Sequence, residues 1–333
     1  MLGVAKTAPG VGNVALVDRP EPEVRPGHVV LEVVGAGICG TDLHIWDDEF
    51  PTEPPVTMGH EVSAVVREVG DGAEGWSAGE RVVSETYFST CGACDWCRSG
   101  RPNLCSERRS IGSREDGGFA PLLLVPAHNL HRIPDNLDAH AAVLAEPLAC
   151  VCNCLLDPQV VQRGDRVLVV GPGPVGLLAA QVARAGGGDV HVRGAPRDDA
   201  RLEKARELGF ETSTPSNTVS LGEFAVVIEC SGSASGISFA LESAARGGRY
   251  VQIGLAGKPV AIPFDLVSYH ELCVTSGNAS TRRSWLRALD LVDHGAVELE
   301  PLVTEVVPLA EWERAFAATR AGWGIKFVLD PSG

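Results

Sequence analysis

At 333 residues the chain is long enough for two domains with well-buried cores. A formal net charge of −15 and a pI near 5.0 argue against nucleic acid or an anionic membrane surface as partner. Residues 1–12 hold one lysine and no long apolar run, so no signal peptide is expected, and ten cysteines without export point to a reducing cytoplasm.

In chain order, residues 1–150 carry short β-rich runs at Val29–Val34, Val62–Val69, Arg81–Glu85 and Pro121–Val125. Glycine and proline turns separate them, the texture of a compact β-barrel-like domain. From about residue 160 strands and helices alternate. Strands are expected at Arg166–Val170, Asp189–Arg193, Ala225–Glu229, Arg249–Ile253 and Leu272–Ser276, with helices at Val175–Ala185 and Ala200–Leu208. Such alternation predicts a parallel sheet with helices on both faces. The last residues predict helices near Ser284–His294 and Leu309–Thr319 and a final strand Lys326–Leu329, a short segment expected to pack back onto the first domain. The most apolar stretch, Val167–Ala185, is broken by glycine and proline and reads as strand–turn–helix, not as a membrane span.

Cys91, Cys94, Cys97 and Cys105 follow the spacing C-x2-C-x2-C-x7-C, which lets four thiolates converge on one tetrahedral cation. Two disulfides, an iron–sulfur cluster or unrelated buried thiols are the competing readings; a closed four-cysteine site favours structural zinc. Gly171-Pro172-Gly173-Pro174-Val175-Gly176 follows a strand and opens a helix, the setting in which G-x-G-x-x-G binds a dinucleotide. Gly171 turns the chain, Gly173 admits the pyrophosphate and Gly176 allows close helix–strand packing. An NAD site wants a carboxylate about 20 residues on. Arg193-Gly194-Ala195-Pro196-Arg197 stands there instead, and Arg193 and Arg197 lean the reading to NADP. Asp198 and Asp199 come slightly late and suit a helix cap. Cys230 and Ile253, at the ends of later strands, are weaker candidates to flank the nicotinamide. Cys39, His60, Glu61 and Glu146 offer the donors of a catalytic zinc, although spacing alone does not bring them together. Cys150, Cys152 and Cys154 read as small packing residues in a helix.

Taken together, Gly37-Ile38-Cys39-Gly40-Thr41-Asp42-Leu43-His44, Gly59-His60-Glu61, the cysteine quartet, Glu146-Pro147-Leu148 and the Gly171–Gly176 turn resemble the zinc-dependent medium-chain alcohol dehydrogenases, in particular the polyol (sorbitol) and threonine dehydrogenase branch. The resemblance implies an α/β chain. A GroES-like β-rich catalytic domain would span 1–154, completed by 281–333, and a Rossmann doubly wound domain 155–280, with the active site in the cleft between them. It implies Cys39, His60, Glu61 and Glu146 at a catalytic zinc, Glu146 directly or through water, and a structural zinc on the quartet. Thr41 and His44 match the family's proton relay. The implied reaction is hydride transfer between a secondary alcohol (polyol, sugar or amino alcohol) and NAD(P), in a homodimer or homotetramer. A biosynthetic carbonyl reductase and a non-catalytic zinc- and dinucleotide-binding sensor are the alternatives.

Overall fold

A computed structural model describes residues 1–216 and 221–332. By backbone proximity the chain divides into two units, Met1–Glu146 together with the segment from Leu302, and Pro147–Pro301.

The first unit is built on a seven-stranded sheet. Its strands run in the order Leu130–Arg132, Arg81–Ser84, Glu61–Val69, His28–Gly37, Lys326–Asp330 and Val303–Pro308, with Leu122–Pro126 also paired to His28–Gly37. The central strand is apolar on both faces over most of its length, and Val29, Leu31, Val33 and Ala36 are buried in one core with Val62, Phe119 and Phe327. The last strand of the chain lies antiparallel to it, Leu329 opposite Ala36 and Val328 opposite Gly37. The C-terminal residues therefore complete the sheet of the first unit.

The second unit holds six parallel strands in the order Glu211–Ser213, Asp189–Arg193, Arg166–Val170, Phe224–Glu229, Ala244–Gln252 and Cys273–Ser276. Arg166–Val170 leads outward in both directions, so the strand order reverses beside it, the switch point at which doubly wound sheets open a crevice. Its valine-rich run is buried from Val167 to Val170, as a parallel strand covered on both faces requires.

Two elements differ from the sequence expectation. The strand expected at Arg249–Ile253 begins at Ala244; Gly247 and Gly248 interrupt its β-branched pattern and hide the first half. The helix expected over Leu309–Thr319 is a 3₁₀ turn, Leu309–Glu311, followed by an α-helix Trp312–Arg320. The unit boundaries also fall at 146/147 and 301/302 instead of 154/155 and 280/281. Hydrogen bonds hold the intervening segment to the second unit. Asn153 Nδ2 donates to the Ala279 carbonyl at 3.0 Å, Arg287 donates to the Leu156 carbonyl, and Gln181 exchanges bonds of 3.0 and 2.8 Å with the backbone of Glu298. Among the described residues no helix is long and apolar enough to cross a membrane.

Candidate active site and metal centres

One register contact assembles the first cluster. Gly37, near the end of strand His28–Gly37, pairs with Glu61 at the start of strand Glu61–Val69. Cys39, two residues beyond Gly37, thereby meets His60 and Glu61. The Cys39 sulfur, a His60 ring nitrogen and a Glu61 carboxylate oxygen all lie within 4.8 Å of one another. A Cβ on Gly37 would sit 2.1 Å from Glu61 Oε2, so glycine here leaves the Glu61 carboxylate its place in the cluster. Cys39 is the N-cap of helix Gly40–Trp46, and its backbone N–H donates to Asp42 Oδ2 at 2.8 Å, which fixes the thiol at the helix entrance.

The surroundings of the cluster are charged and largely buried. Lys326 Nζ donates to Glu61 Oε1 at 2.8 Å, to Glu61 Oε2 at 2.6 Å and to the Ile38 carbonyl at 3.0 Å. A carboxylate has about four lone-pair sites, so this pairing leaves Glu61 able to bind a cation as well. Asp42 is fully buried; burial foremost pushes its carboxyl up to about 6, against the opposing pull of His60. Its Oδ1 is buried without a hydrogen-bond partner and lies 3.8 Å from His60 Nδ1. Burial works against a charged His60, but the Cys39 hydrogen bond and the charges of Cys39, Asp42 and Glu146 together hold its pKa well above the ordinary imidazole value. The donor set fits zinc, since sulfur, nitrogen and oxygen already converge. At 3.8 Å Asp42 Oδ1 is beyond hydrogen-bond distance of His60 Nδ1, but its carboxylate is the charged group set beside that ring nitrogen. Glu146, buried at the start of helix Ala145–Leu156, is not among the converged donors, and its charge helps to raise the His60 pKa.

Thr41 and His44 lie on the same helix. The Cys39 thiol reaches Thr41 Oγ1 at 3.7 Å, which places a hydroxyl against the cluster. His44, one turn on and partly exposed, has its Nδ1 2.7 Å from Glu49 Oε2.

The cysteine quartet converges as its spacing leads one to expect, with all four Sγ atoms within 4.8 Å of one another. Backbone N–H groups of Ala93 and Cys94 donate to Cys91 Sγ at 3.4 and 3.3 Å, and that of Cys97 donates to Cys94 Sγ at 3.5 Å. The Ala93 and Cys94 amides draw the Cys91 pKa well below the usual thiol value. Amides aimed at sulfur stabilise thiolates, the form a metal needs, but at Cys94 the pull of the Cys97 amide is outweighed by burial and the neighbouring thiols, which push it up to about 11. These two are the only groups of three or more metal-capable donors among the described residues. Cys152 and Cys154 are buried with thiols pushed up to about 12 by burial, as packing residues would be.

In the second unit, Gly171 turns the chain at φ +101° after strand Arg166–Val170, and helix Pro174–Ala185 starts with Gly173 as N-cap. A Cβ on Gly176 would lie 1.8 Å from the Gly171 carbonyl oxygen, so the helix can approach the turn only with glycine there. The side of Gly173 is open, with nothing nearer than Arg201 Nη1 at 4.0 Å from a Cβ placed on it. Pro174 and Val175 form the first turn of the helix; proline lacks an N–H, and the free amides that follow it at the helix N-terminus suit an anion. Arg193 is turned away from that role. Its guanidinium stacks on Phe239, 3.9 Å from the ring centre, and donates to the Thr214 carbonyl at 3.1 Å. Arg197 is exposed, Gly194 lies against Leu202, and Asp198 is occupied in accepting the Ala195 N–H at 2.8 Å. Cys230 and Ile253 continue the ladder past the strand ends, donating to Val170 and Glu229 carbonyls at 2.8 Å each.

Three contributors escaped the sequence reading: Asp42, Lys326 and Arg201. Buried Glu229 gathers the amides of Ser231 and Gly232 and the Gln252 side chain at 2.8, 3.1 and 2.8 Å, and so shapes the loop after its strand. A capping-box reading of Cys39-x-x-Asp42 was the one available signal for Asp42.

Two family models match the chain, an alcohol dehydrogenase GroES-like domain over residues 25–135 and a zinc-binding dehydrogenase over residues 174–294. A sorbitol dehydrogenase of Halalkalibacterium halodurans is 36% identical, the match covering 99% of both chains. A D-arabitol-phosphate dehydrogenase of Enterococcus avium is 32% identical over 99% of this chain and 97% of its own. A zinc-binding dehydrogenase of Sinorhizobium meliloti 1021, solved bound to NADP, superposes with a TM-score of 0.90 at 32% identity, covering 99% of each chain. With a GroES-like unit, a Rossmann unit and relatives of full length, the chain belongs to the zinc-dependent medium-chain alcohol dehydrogenase family and is an oxidoreductase.

Proposed function

We propose that the chain interconverts a secondary alcohol and its ketone with a nicotinamide dinucleotide, NADP in preference to NAD. The substrate class is polyol, sugar or amino alcohol. The observation that carries this reading is the convergence of Cys39, His60 and Glu61 beside the Thr41 hydroxyl. Those three residues would hold a catalytic zinc, which Glu146 would join directly or through water, and the quartet Cys91, Cys94, Cys97 and Cys105 would hold a second, structural zinc. When bound, zinc supplies Lewis acidity and the dinucleotide supplies the hydride carrier. Thr41 Oγ1 takes the proton of the substrate hydroxyl, and His44 carries it outward. Lys326 keeps Glu61 aligned, and Asp42 keeps His60 aligned.

The coenzyme preference rests on charge at the phosphate turn. Asp198 is committed to capping, and Arg201 reaches towards Gly173 while Arg197 stands exposed nearby in sequence. Arg197 and Arg201, instead of Arg193, are the pair suited to a 2′-phosphate. Gly171, Gly173, Pro174, Val175 and Gly176 would receive the pyrophosphate. The relatives named for sorbitol and arabitol phosphate support a polyol-like substrate. The edge strand Cys273–Ser276, with Val274 exposed at 42%, is a surface on which a homodimer or homotetramer could build. Turnover of polyols, sugars, amino alcohols and simple primary alcohols, each with NAD and NADP, tests the reading. A primary alcohol used as efficiently as the polyols would reject the substrate class.

A further inference from the structure

Helix Gly40–Trp46 ends in three consecutive acids, Asp47, Asp48 and Glu49. Negative charge is unfavourable at a helix C-terminus, so such a run needs partners. Each acid has its own. Arg320 grips Asp47 with bonds of 2.7 and 3.0 Å. Asp48 lies 3.9 Å from buried Lys6, and Glu49 Oε2 lies 2.7 Å from His44 Nδ1.

The backbone builds that last contact as much as the charge does. The Asp48 N–H donates to the Ile45 carbonyl at 3.2 Å and the Glu49 N–H to the His44 carbonyl at 2.8 Å. These are the two bonds of a Schellman close, whose left-handed residue is usually glycine. Asp48 occupies that position at φ +59°, a conformation aspartate tolerates better than most side chains. The close folds Glu49 back over the last helical turn onto His44. On its other side Glu49 lines a cavity of about 340 Å³ together with Asp48, Phe50 and Thr52, and its side chain is 48% exposed.

A neutral imidazole that gives its Nδ1–H to a carboxylate keeps Nε2 as its acceptor. His44 follows Thr41 by three positions, which puts both on one helix face. We propose that Glu49 is a positioning residue for proton transfer, holding His44 as the Nδ1–H form with Nε2 ready to receive the proton. Nε2 binds the proton, the Glu49 carboxylate stays at Nδ1, and water removes the proton again, so each turnover begins from the same form. The role rests on the reading of Thr41 and His44 as the proton path.

The test compares the zinc-loaded enzyme with Glu49→Ala, Glu49→Gln and His44→Ala by ¹⁵N–¹H spectra of the imidazoles and by steady-state kinetics. In the parent, His44 is expected as Nδ1–H. Glu49→Ala should convert it to Nε2–H and lower kcat roughly tenfold, a part of the ~10²–10⁴ of a whole proton transfer, with KM changed less than about twofold. Glu49→Gln, whose amide oxygen can accept the same bond, should keep the Nδ1–H form and most of kcat. An unchanged imidazole form in Glu49→Ala overturns the positioning role. So does an unchanged kcat in Glu49→Ala when His44→Ala is slowed. Full kcat in His44→Ala removes the proton path itself, and the role of Glu49 with it.

Discussion

Lys326 and Glu61, 265 residues apart, meet in a two-point ion pair in which neither side chain is more than 2% exposed. The pair joins the last strand of the chain to the residue that completes the Cys39–His60 cluster. Burial opposes the ammonium, but the charges of Glu61, Cys39 and Asp42 and the hydrogen bond to Glu61 outweigh it and raise the Lys326 pKa.

Removing one partner of a buried pair strands the other. Lys326→Met should therefore destabilise the first unit by about 3–5 kcal/mol, measured from the denaturant midpoint and slope. Adding Glu61→Gln to it should restore part of the loss, because the stranded charge is then gone. A loss under about 1 kcal/mol for the single variant would show that the pair is not closed in solution.

Asp42 trades stability for the cluster. Its folded pKa, about 6, is above the unfolded value of 3.8, so the folded metal-free chain holds the extra proton between them. Stability from this group is present below the unfolded value and is lost as pH rises towards 6. Asp42→Asn should raise the thermal midpoint of the metal-free protein at pH 7 more than at pH 5. The same change should weaken zinc at the Cys39–His60–Glu61 site about 10–100-fold in a competition titration, since His60 loses the carboxylate charge beside its Nδ1. Unchanged zinc affinity would contradict the role given to Asp42 Oδ1.

At the phosphate turn, Arg201→Ala should raise the KM for NADP about tenfold to a hundredfold, the worth of one charge-assisted contact, and alter that for NAD far less. Equal effects on both coenzymes would move Arg201 from the 2′-phosphate to the pyrophosphate.

Gly176→Ala places a methyl group 1.8 Å from the Gly171 oxygen, a distance that requires the helix to move off the strand. We expect dinucleotide binding to fall below detection by calorimetry while zinc content is kept. Normal binding would mean that the helix can shift without disturbing the phosphate turn.

Much of this was legible in the sequence because the signals are local. Val167–Val170 followed by Gly171 and Gly173 carries its strand, turn and helix start within one stretch, and Cys91–Cys105 carries its convergence in its own spacing. What escaped was set by long-range pairing or by competition. Lys326 looks like an ordinary basic residue before Phe327 until the antiparallel register of the last strand carries it to Glu61. Arg193 looks like a phosphate ligand, but Phe239, on a distant helix, offers its face and takes the guanidinium. Arg201 has no motif of its own; it is one helical arginine among several, and only the fold turns it towards Gly173. Gly247-Gly248 hid the first half of a strand that pairs at Ala244 and then only from Arg249 on, so no alternating side-chain pattern marks its start.

The most direct test of the account is zinc content per chain in the parent and in His60→Ala, measured by elemental analysis beside turnover with NADP. Two zinc ions in the parent, and one with no turnover in His60→Ala, is the result expected if Cys39, His60 and Glu61 hold the catalytic metal while the quartet holds its own. One zinc in both proteins would contradict it, because His60 would then belong to no metal site.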